Sequence, residues 1–299
     1  MQEVRRPSDL ECAFYGGLFD ATGSLRVSLN HGRFWQARVA IRHRASAARL
    51  REVYGGALAA SGWEVKRYGA VACFLQDILP YVIEKHSLIE AVLARFSSRA
   101  SVGDGAVLVA DLARLRRVAV DGACLPQAGS RRCSWDGCTR AACSRGLCGR
   151  HYQQARLSGT LAVRRRRAAR SFSYRRVPTQ RELAYAGGFF DGCGSVRFVA
   201  TRPQVAFARS HGGSLLHLWS IYGGSLSLRR NVERQQLIWR LTAREASIAF
   251  LRDVLPFVVE KREEVARVLA EFSPSKREEG SAADHPDEGR SDADLGTCT

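Results

Sequence analysis

The segment DILPYVIEKHSLIEAVLARFSS at 77–98 returns as DVLPFVVEKREEVARVLAEFSP at 253–274. An internal repeat restricts the architecture more than any local motif, because both copies must satisfy the same fold. Two shorter blocks recur ahead of it. FYGGLFDATGSLRV (14–27) is answered by AYAGGFFDGCGSVRF (184–198), and VYGGAL (53–58) by IYGGSL (221–226). The spacing between copies drifts: 171 positions from Asp20 to Asp191, 168 from Tyr54 to Tyr222 and 176 from Pro80 to Pro256. Insertions and deletions therefore fall between shared elements, where loops absorb them. Two repeats follow, 10–98 and 182–274, joined by 99–181 and trailed by 275–299.

In the first copy, 10–20 is apolar on a helical period, with Gly23 as its stop signal. Leu25, Val27 and Leu29 then alternate with Arg26 and Ser28. HGR reads as a turn, after which Trp35, Ala37, Val39 and Ile41 oppose Gln36, Arg38 and Arg42. This is a hairpin with one apolar and one basic face. A helix is expected over 45–54, strand material around GWEVKRYG, and a last helix between Pro80 and Phe96. The order α-β-β-α-β-β-α makes an α+β fold. In the second copy Arg197 stands between Val196 and Phe198, and the next strand has a weaker polar face of Gln204, Ala206, Ala208 and Ser210. A second hairpin sets Leu226 and Leu228 against Arg229, then Leu237, Trp239 and Leu241 against Gln236 and Arg240. Each arginine alone reads equally well as a solvated strand face. Together they form a basic surface.

Composition narrows the partner. The 299 residues carry a net charge of +17 and a hydrophobic fraction of 45%, ordinary for globular proteins. The tail holds three basic and seven acidic residues, so the remainder carries +21. Its SAADHPDEGRSDADLG stretch reads as a disordered acidic tail. Arginine supplies nearly all the positive charge, since only Lys66, Lys85, Lys261 and Lys276 are lysines. Clustered arginines release counterions from phosphates, which points to a polyanion. No apolar run reaches membrane-span length and MQEVRRPSDLEC lacks a signal-peptide core. The expectation is an intracellular protein without a membrane partner; nucleus, organelle and bacterial cytoplasm stay open. Nine cysteines, four of them between 133 and 148, suggest a reducing compartment and one metal site rather than a disulfide framework.

The connecting segment holds eighteen arginines and four acids. A short amphipathic helix is expected over 106–118, with Leu108, Leu112 and Leu115 on one stripe. A module at about 131–160 follows, spaced Cys133-x4-Cys138-x9-Cys148-x2-His151. Three thiolates and one imidazole complete a closed tetrahedral zinc site. A stretch this short cannot bury a core, so the metal would supply its folding energy. Cys143 is an alternative to Cys138. The RGLCxxHY ending resembles small zinc-binding modules beside phage and bacterial DNA-processing domains. An HNH nuclease core is rejected. It needs a general-base histidine besides any ligands, and His151 is the only histidine from 90 to 210. The run RRRRAAR (164–170) reads either as a solvated linker or as a phosphate-tracking arm or nuclear-import signal.

The helix-Gly-Gly-x-x-Asp-x-x-Gly-Ser pattern, the basic hairpin and the LPY(V/I)xxK helix together resemble the single-chain, two-repeat LAGLIDADG homing endonucleases. The resemblance covers both copies and excludes the connecting segment and tail. It implies two helices packed at a pseudo-twofold axis, where Gly16, Gly17, Gly187 and Gly188 let the backbones approach. It also implies two curved sheets forming a saddle for the major groove of duplex DNA. Arg26, Arg38, Arg42, Arg197, Arg229 and Arg240 are the candidate DNA contacts.

Family members that cut DNA place one carboxylate from each helix foot beside divalent ions. By resemblance those positions are Thr22 and Cys193 here. Asp20 and Asp191, the nearest acids, match positions that mainly shape the helix end. A neutral hydroxyl and a soft thiol do not supply the fixed negative charge that holds Mg²⁺. The reading is a sequence-specific double-stranded DNA-binding protein, monomeric with an internal pseudo-dimer, carrying structural zinc and no cleavage. One alternative is a nuclease that still uses Mg²⁺ through Asp20 or Asp191. A second is an RNA-binding intron maturase.

Overall fold

The two repeats run in the same order. The first contains α1 (Asp9–Thr22), β1 (Gly23–Asn30), β2 (Phe34–Ile41), α2 (Arg44–Tyr54), β3 (Ala57–Ala59), β4 (Gly62–Val65), α3 (Tyr68–Ile78) and α4 (His86–Ser97). A short helix, α5 (Gly149–Leu157), lies in the connecting segment. The second repeat contains α6 (Gln180–Cys193), β5 (Ser195–Val199), β6 (Arg202–Arg209), α7 (Gly213–Tyr222), β7 (Ser225–Arg230), β8 (Gln235–Leu241), α8 (Arg244–Val254) and α9 (Arg262–Ala270). The computed structural model describes residues 6–30, 34–97, 133–140, 147–158, 172–199, 202–230 and 235–272. The helix expected over 106–118, Cys143, the arginine run and the acidic tail lie outside them.

The α+β class and the paired repeats agree with the sequence reading. Each repeat gains one helix over the expected order, α3 and α8, placed before the proline loop. Each sheet is four-stranded and antiparallel, ordered β1-β2-β4-β3 and β5-β6-β8-β7. One face packs on helices. In the first repeat Leu25, Val39, Ile41, Trp63 and Val65 join Phe19 of α1 and Phe74 of α3 in one core. Val205, Phe207, Trp239 and Leu241 join Phe190 and Phe250 in the other. The chain enters this second core early: Phe172 and Tyr174 pack against it, and Arg175 N donates to Ile221 O at 2.9 Å.

Tertiary bonds explain why short blocks recur. In both YGG turns the two glycines adopt positive φ: 72° and 88° at Gly55 and Gly56, 70° and 87° at Gly223 and Gly224. Side chains with a Cβ rarely tolerate that geometry. The freed carbonyl of the first glycine accepts from a core tryptophan, Trp63 Nε1 to Gly55 O and Trp239 Nε1 to Gly223 O, both at 2.7 Å. The preceding tyrosine ties the turn to the next helix: Tyr54 donates to Asp77 at 2.9 Å and Tyr222 to Asp253 at 2.8 Å. Gly23 ends α1 as the sequence marks, but without a positive φ. Its φ is −67°, so it stops α1 in an extended conformation. Glycine is required there because a Cβ would strike the Phe19 ring and carbonyl.

Both central helices start from a capping box. Glu11 Oε2 accepts from Ser8 N at 2.8 Å, and Glu182 Oε2 from Thr179 N at 2.8 Å. The hydroxyls of Ser8 and Thr179 accept in return from Glu11 N and Glu182 N. Glu182 also takes both arms of Arg176, at 2.9 and 2.6 Å. Chiefly this guanidinium pulls the Glu182 carboxyl down to about 2. A depressed acid stabilises the fold above its unfolded pKa and loses that contribution as pH falls through its folded value. Glu182→Ala is therefore expected to cost about 1 kcal/mol at neutral pH. The deficit, measured by urea unfolding, should shrink as pH is lowered from about 4.5 toward 2. A deficit that stays constant over that window would show that ionisation of the carboxyl contributes nothing to it.

Candidate nucleic-acid interface and metal centre

α1 and α6 touch backbone to backbone. A Cβ on Gly17 would overlap the Tyr185 carbonyl and lie 2.9 Å from Phe189 N; one on Gly188 would overlap the Phe14 carbonyl and lie 3.0 Å from Leu18 N. Gly16 and Gly187, one position earlier, are turned by about 100° on the helix. They face their own repeats instead, with Cβ positions 3.0 Å from Tyr81 Cβ and 2.6 Å from Phe257 Cβ. Two of the four glycines thus serve the helix crossing and two serve packing within a repeat. Gly192, which the pattern left out, joins the crossing against Ala21 and Thr22.

The crossing brings Thr22 and Cys193 to a common foot, where both turn back on their own helices. Thr22 Oγ1 donates to Leu18 O at 3.1 Å and Cys193 Sγ to Phe189 O at 3.3 Å. Burial pushes the Cys193 thiol up to about 12, so it is neutral. Asp20 and Asp191 point the other way. Asp20 accepts from the backbone N–H groups of Ile83, Glu84 and Lys85 at 2.7, 3.1 and 3.1 Å, and from Tyr185 OH at 2.9 Å. Asp191 accepts from those of Val259, Glu260 and Lys261 at 2.8, 3.0 and 2.9 Å. His43 of the first repeat sits 3.1 Å from the Asp191 carboxylate. Burial raises both carboxyls. At Asp20 it wins, whereas at Asp191 the His43 contact and the backbone donors outweigh it and leave the group below its ordinary value.

Cations line the same foot. Lys85 Nζ donates to the carbonyls of Phe19, Asp20 and Gly23, the last at 2.8 Å. Lys261 Nζ donates to Phe190 O at 2.9 Å and Gly194 O at 2.7 Å. Arg209, at the end of β6, crosses from the second repeat to α1. Its Nη1 donates to Ala21 O at 2.8 Å and its Nη2 to Asp20 O at 2.6 Å. Glu84 lies 3.5 Å from this guanidinium, and burial, then Asp20, pushes its carboxyl up to about 7. Burial lowers Lys85 to about 8. Hard divalent ions need available carboxylate or carbonyl oxygens. This donor set does not fit one: the Thr22 and Cys193 side chains are neutral, both aspartates are held by backbone donors, Arg209 occupies the Asp20 and Ala21 carbonyls, and a further acid, Glu84, is buried beside Arg209 with its carboxyl pushed up.

The outer sheet faces carry the other candidates. Arg26 lies directly across from Arg38 on the β1–β2 ladder, and Ser28 across from Gln36. With Lys66 they line an open groove. Glu64 partly compensates, contacting Arg38 and lying 3.0 Å from Lys66. Arg42 is exposed just past β2. On the second sheet Arg197 faces Gln204, Arg229 faces Gln236, and Arg240 faces Ser225 and Ala206. All three belong to the face opposite the core. The two faces differ in reach, since β3 and β4 have three and four residues where β7 and β8 have six and seven.

In the connecting segment the ligand atoms of Cys133, Cys138, Cys148 and His151 lie within 4.8 Å of one another. Cys133 Sγ is 3.4 Å and Cys148 Sγ 3.6 Å from His151 Nδ1, and Cys138 Sγ is 3.9 Å from Cys148 Sγ. A tetrahedron with Zn–S near 2.3 Å and Zn–N near 2.0 Å has edges of about 3.5–3.8 Å. The cluster fits such an ion. The Trp135 ring stacks on His151 at 4.7 Å and fixes its plane. Helix α5 starts beside Cys148, whose thiol is held below its ordinary value chiefly by the His151 N–H.

No protein-family model matches the sequence, and no curated protein does. Solved structures do match. The LAGLIDADG meganuclease I-AabMI bound to uncleaved DNA superposes with a TM-score of 0.50 at 12% identity, covering 89% of this chain and 92% of that one. The chain has the fold of the LAGLIDADG homing endonucleases. The homing endonuclease I-GzeII in complex with its DNA target aligns at a TM-score of 0.49 and 13% identity over 91% and 93% of the two chains. Within this fold Gly17 and Gly188 lie at the helix crossing as implied, Gly16 and Gly187 do not, and Asp20 and Asp191 stand near the helix feet. Lys85, Lys261, Arg209, Glu84, His43 and Tyr185 at the foot were missed. The recurrent Glu-Lys behind each LPxV block was the available signal for the two lysines. Among the described residues, no helix is long and apolar enough to cross a membrane.

Proposed function

We propose that this chain is a monomeric, sequence-specific double-stranded DNA-binding protein on a LAGLIDADG scaffold, with a structural zinc module and without strand cleavage. The observation that carries the reading is the pairing of Arg26 with Arg38 across the exposed face of the first sheet. Like charges directly opposite are destabilising; Glu64 offsets part of this at Arg38, and a polyanion would neutralise the remainder. A two-stranded ribbon fits the major groove of B-form DNA, whereas the narrow major groove of A-form RNA excludes it. The I-AabMI and I-GzeII structures are bound to DNA, in keeping with this. The unequal second hairpins favour an asymmetric site. The reading of lost cleavage is supported by the foot, where Thr22 and Cys193 give no charged oxygen and Asp20 and Asp191 are engaged by backbone donors.

The test selects bound duplexes from a random library and then incubates the winner with protein and Mg²⁺. Binding in the range of roughly 10⁻⁸–10⁻¹¹ M, falling steeply with salt, is expected, with the duplex left intact. Mg²⁺-dependent cutting that Asp20→Asn/Asp191→Asn abolishes overturns the loss of cleavage. Tighter binding to a folded intron RNA at the same salt overturns the choice of duplex DNA and supports the maturase alternative.

A further inference from the structure

We propose that Arg209 takes the place of a divalent ion at the foot of the helix pair, so that a phosphate at the centre of the bound duplex docks on a fixed guanidinium. The proposal rests on the DNA-binding reading above and adds the chemistry of its centre. Three observations carry it. The last carbonyls of a helix attract cations, and those of α1 at Asp20 and Ala21 are already bonded to Arg209. Among the described residues, the one carboxylate in ion-pair reach of the guanidinium is the buried Glu84 at 3.5 Å. About 20% of the Arg209 side chain stays exposed, although its Nε is enclosed without a partner. A divalent ion added here would meet Arg209, Lys85 and Lys261, with the buried Glu84 as a nearby acid not held by backbone donors.

The two repeats fill this position differently. Ile41 pairs with Trp63 and Phe207 with the equivalent Trp239, so Arg209 corresponds to His43 of the first repeat. His43 reaches Asp191 and Glu260 across the boundary as Arg209 reaches α1 and Glu84, but only Arg209 brings a guanidinium to the foot. Its length lets it start at the inner end of β6 and reach α1 of the other repeat. The Arg209 side chain also passes over the Phe189 ring, with 5.8 Å from guanidinium to ring centroid, which helps to hold it in place. Arginine keeps its charge at any working pH and offers donors in a planar fork suited to phosphate.

The experiment measures binding of a mixed-sequence 30-base-pair duplex by fluorescence anisotropy across a salt series, for wild type, Arg209→Gln and Arg209→Lys. Removing one phosphate contact should reduce the slope of log K against log salt by about one, with Arg209→Lys restoring most of it. Circular dichroism confirms that each variant is folded at the assay temperature. An unchanged slope in folded Arg209→Gln overturns the proposal and leaves Arg209 as a clamp only. A second arm uses wild type alone, in EDTA and in millimolar Mg²⁺. Binding should not strengthen on adding Mg²⁺; a tenfold gain would place a metal at the centre and overturn the proposal. Absence of any duplex binding sinks the DNA reading itself, and is distinct from both outcomes.

Discussion

Gly17→Ala is expected to cost roughly 3–5 kcal/mol or to prevent folding, and Gly188→Ala the same. The reason is that the new methyl group meets backbone atoms. The Tyr185 carbonyl and Phe189 N stand against Gly17, and the Phe14 carbonyl and Leu18 N against Gly188. A side chain can rotate away from a clash, whereas a helix backbone can only move as a whole. Moving it would separate α1 from α6, and with them the bonds from Tyr185 to Asp20 and from Arg209 to α1. A domain of this size has only about 5–15 kcal/mol of total stability to lose. Gly69→Ala is the control, since nothing lies within 4 Å of a Cβ there. Thermal and urea unfolding of the three variants give the answer. If Gly17→Ala melts with the wild type, the helices do not cross where the structure puts them.

The same residues show how far the sequence could be read. The doubled glycines were legible as a site of close approach because no other residue type allows it. Which glycine of each pair met the partner helix was not, since that depends on the rotation of α1 about its axis. The strand faces were legible because alternation with period two separates Arg26 and Arg38 from Leu25, Val39 and Ile41. Helix α3 was missed in YGAVACFLQDI. Its buried positions Val71, Phe74, Leu75 and Ile78 are helically spaced, but Ala70, Ala72 and Cys73 fill the gaps and blur the period. Arg209 occupied an inward slot after Val205 and Phe207, where a charge contradicts the pattern. That contradiction was a signal of a buried partner, and the partner lay on the other repeat, which no local reading reaches. His43 and Tyr185 act across the same boundary.

The module between the repeats should bind one zinc per chain and unfold when the metal is removed, while both repeats stay folded. Structural zinc in small modules contributes about 10–16 kcal/mol of binding free energy near neutral pH, which is also folding free energy. The cluster has little else to hold it: among its described residues Cys133, Cys148 and Ala155 are the buried apolar ones. The two large cores contain none of them, so chelation leaves those cores intact. Cys148→Ser is expected to abolish stoichiometric zinc by metal analysis and the tetrahedral thiolate absorption of the cobalt(II) form. Cys143→Ser should change neither, because Cys133, Cys138, Cys148 and His151 already close a four-ligand set. Loss of metal in Cys143→Ser with retention in Cys138→Ser would reassign the ligand. Retention in Cys148→Ser would show that the thiols converge without a metal. Zinc affinity should weaken as pH falls, since protons compete for the thiolates and for His151 Nδ1, so the module opens in acid before the repeats do.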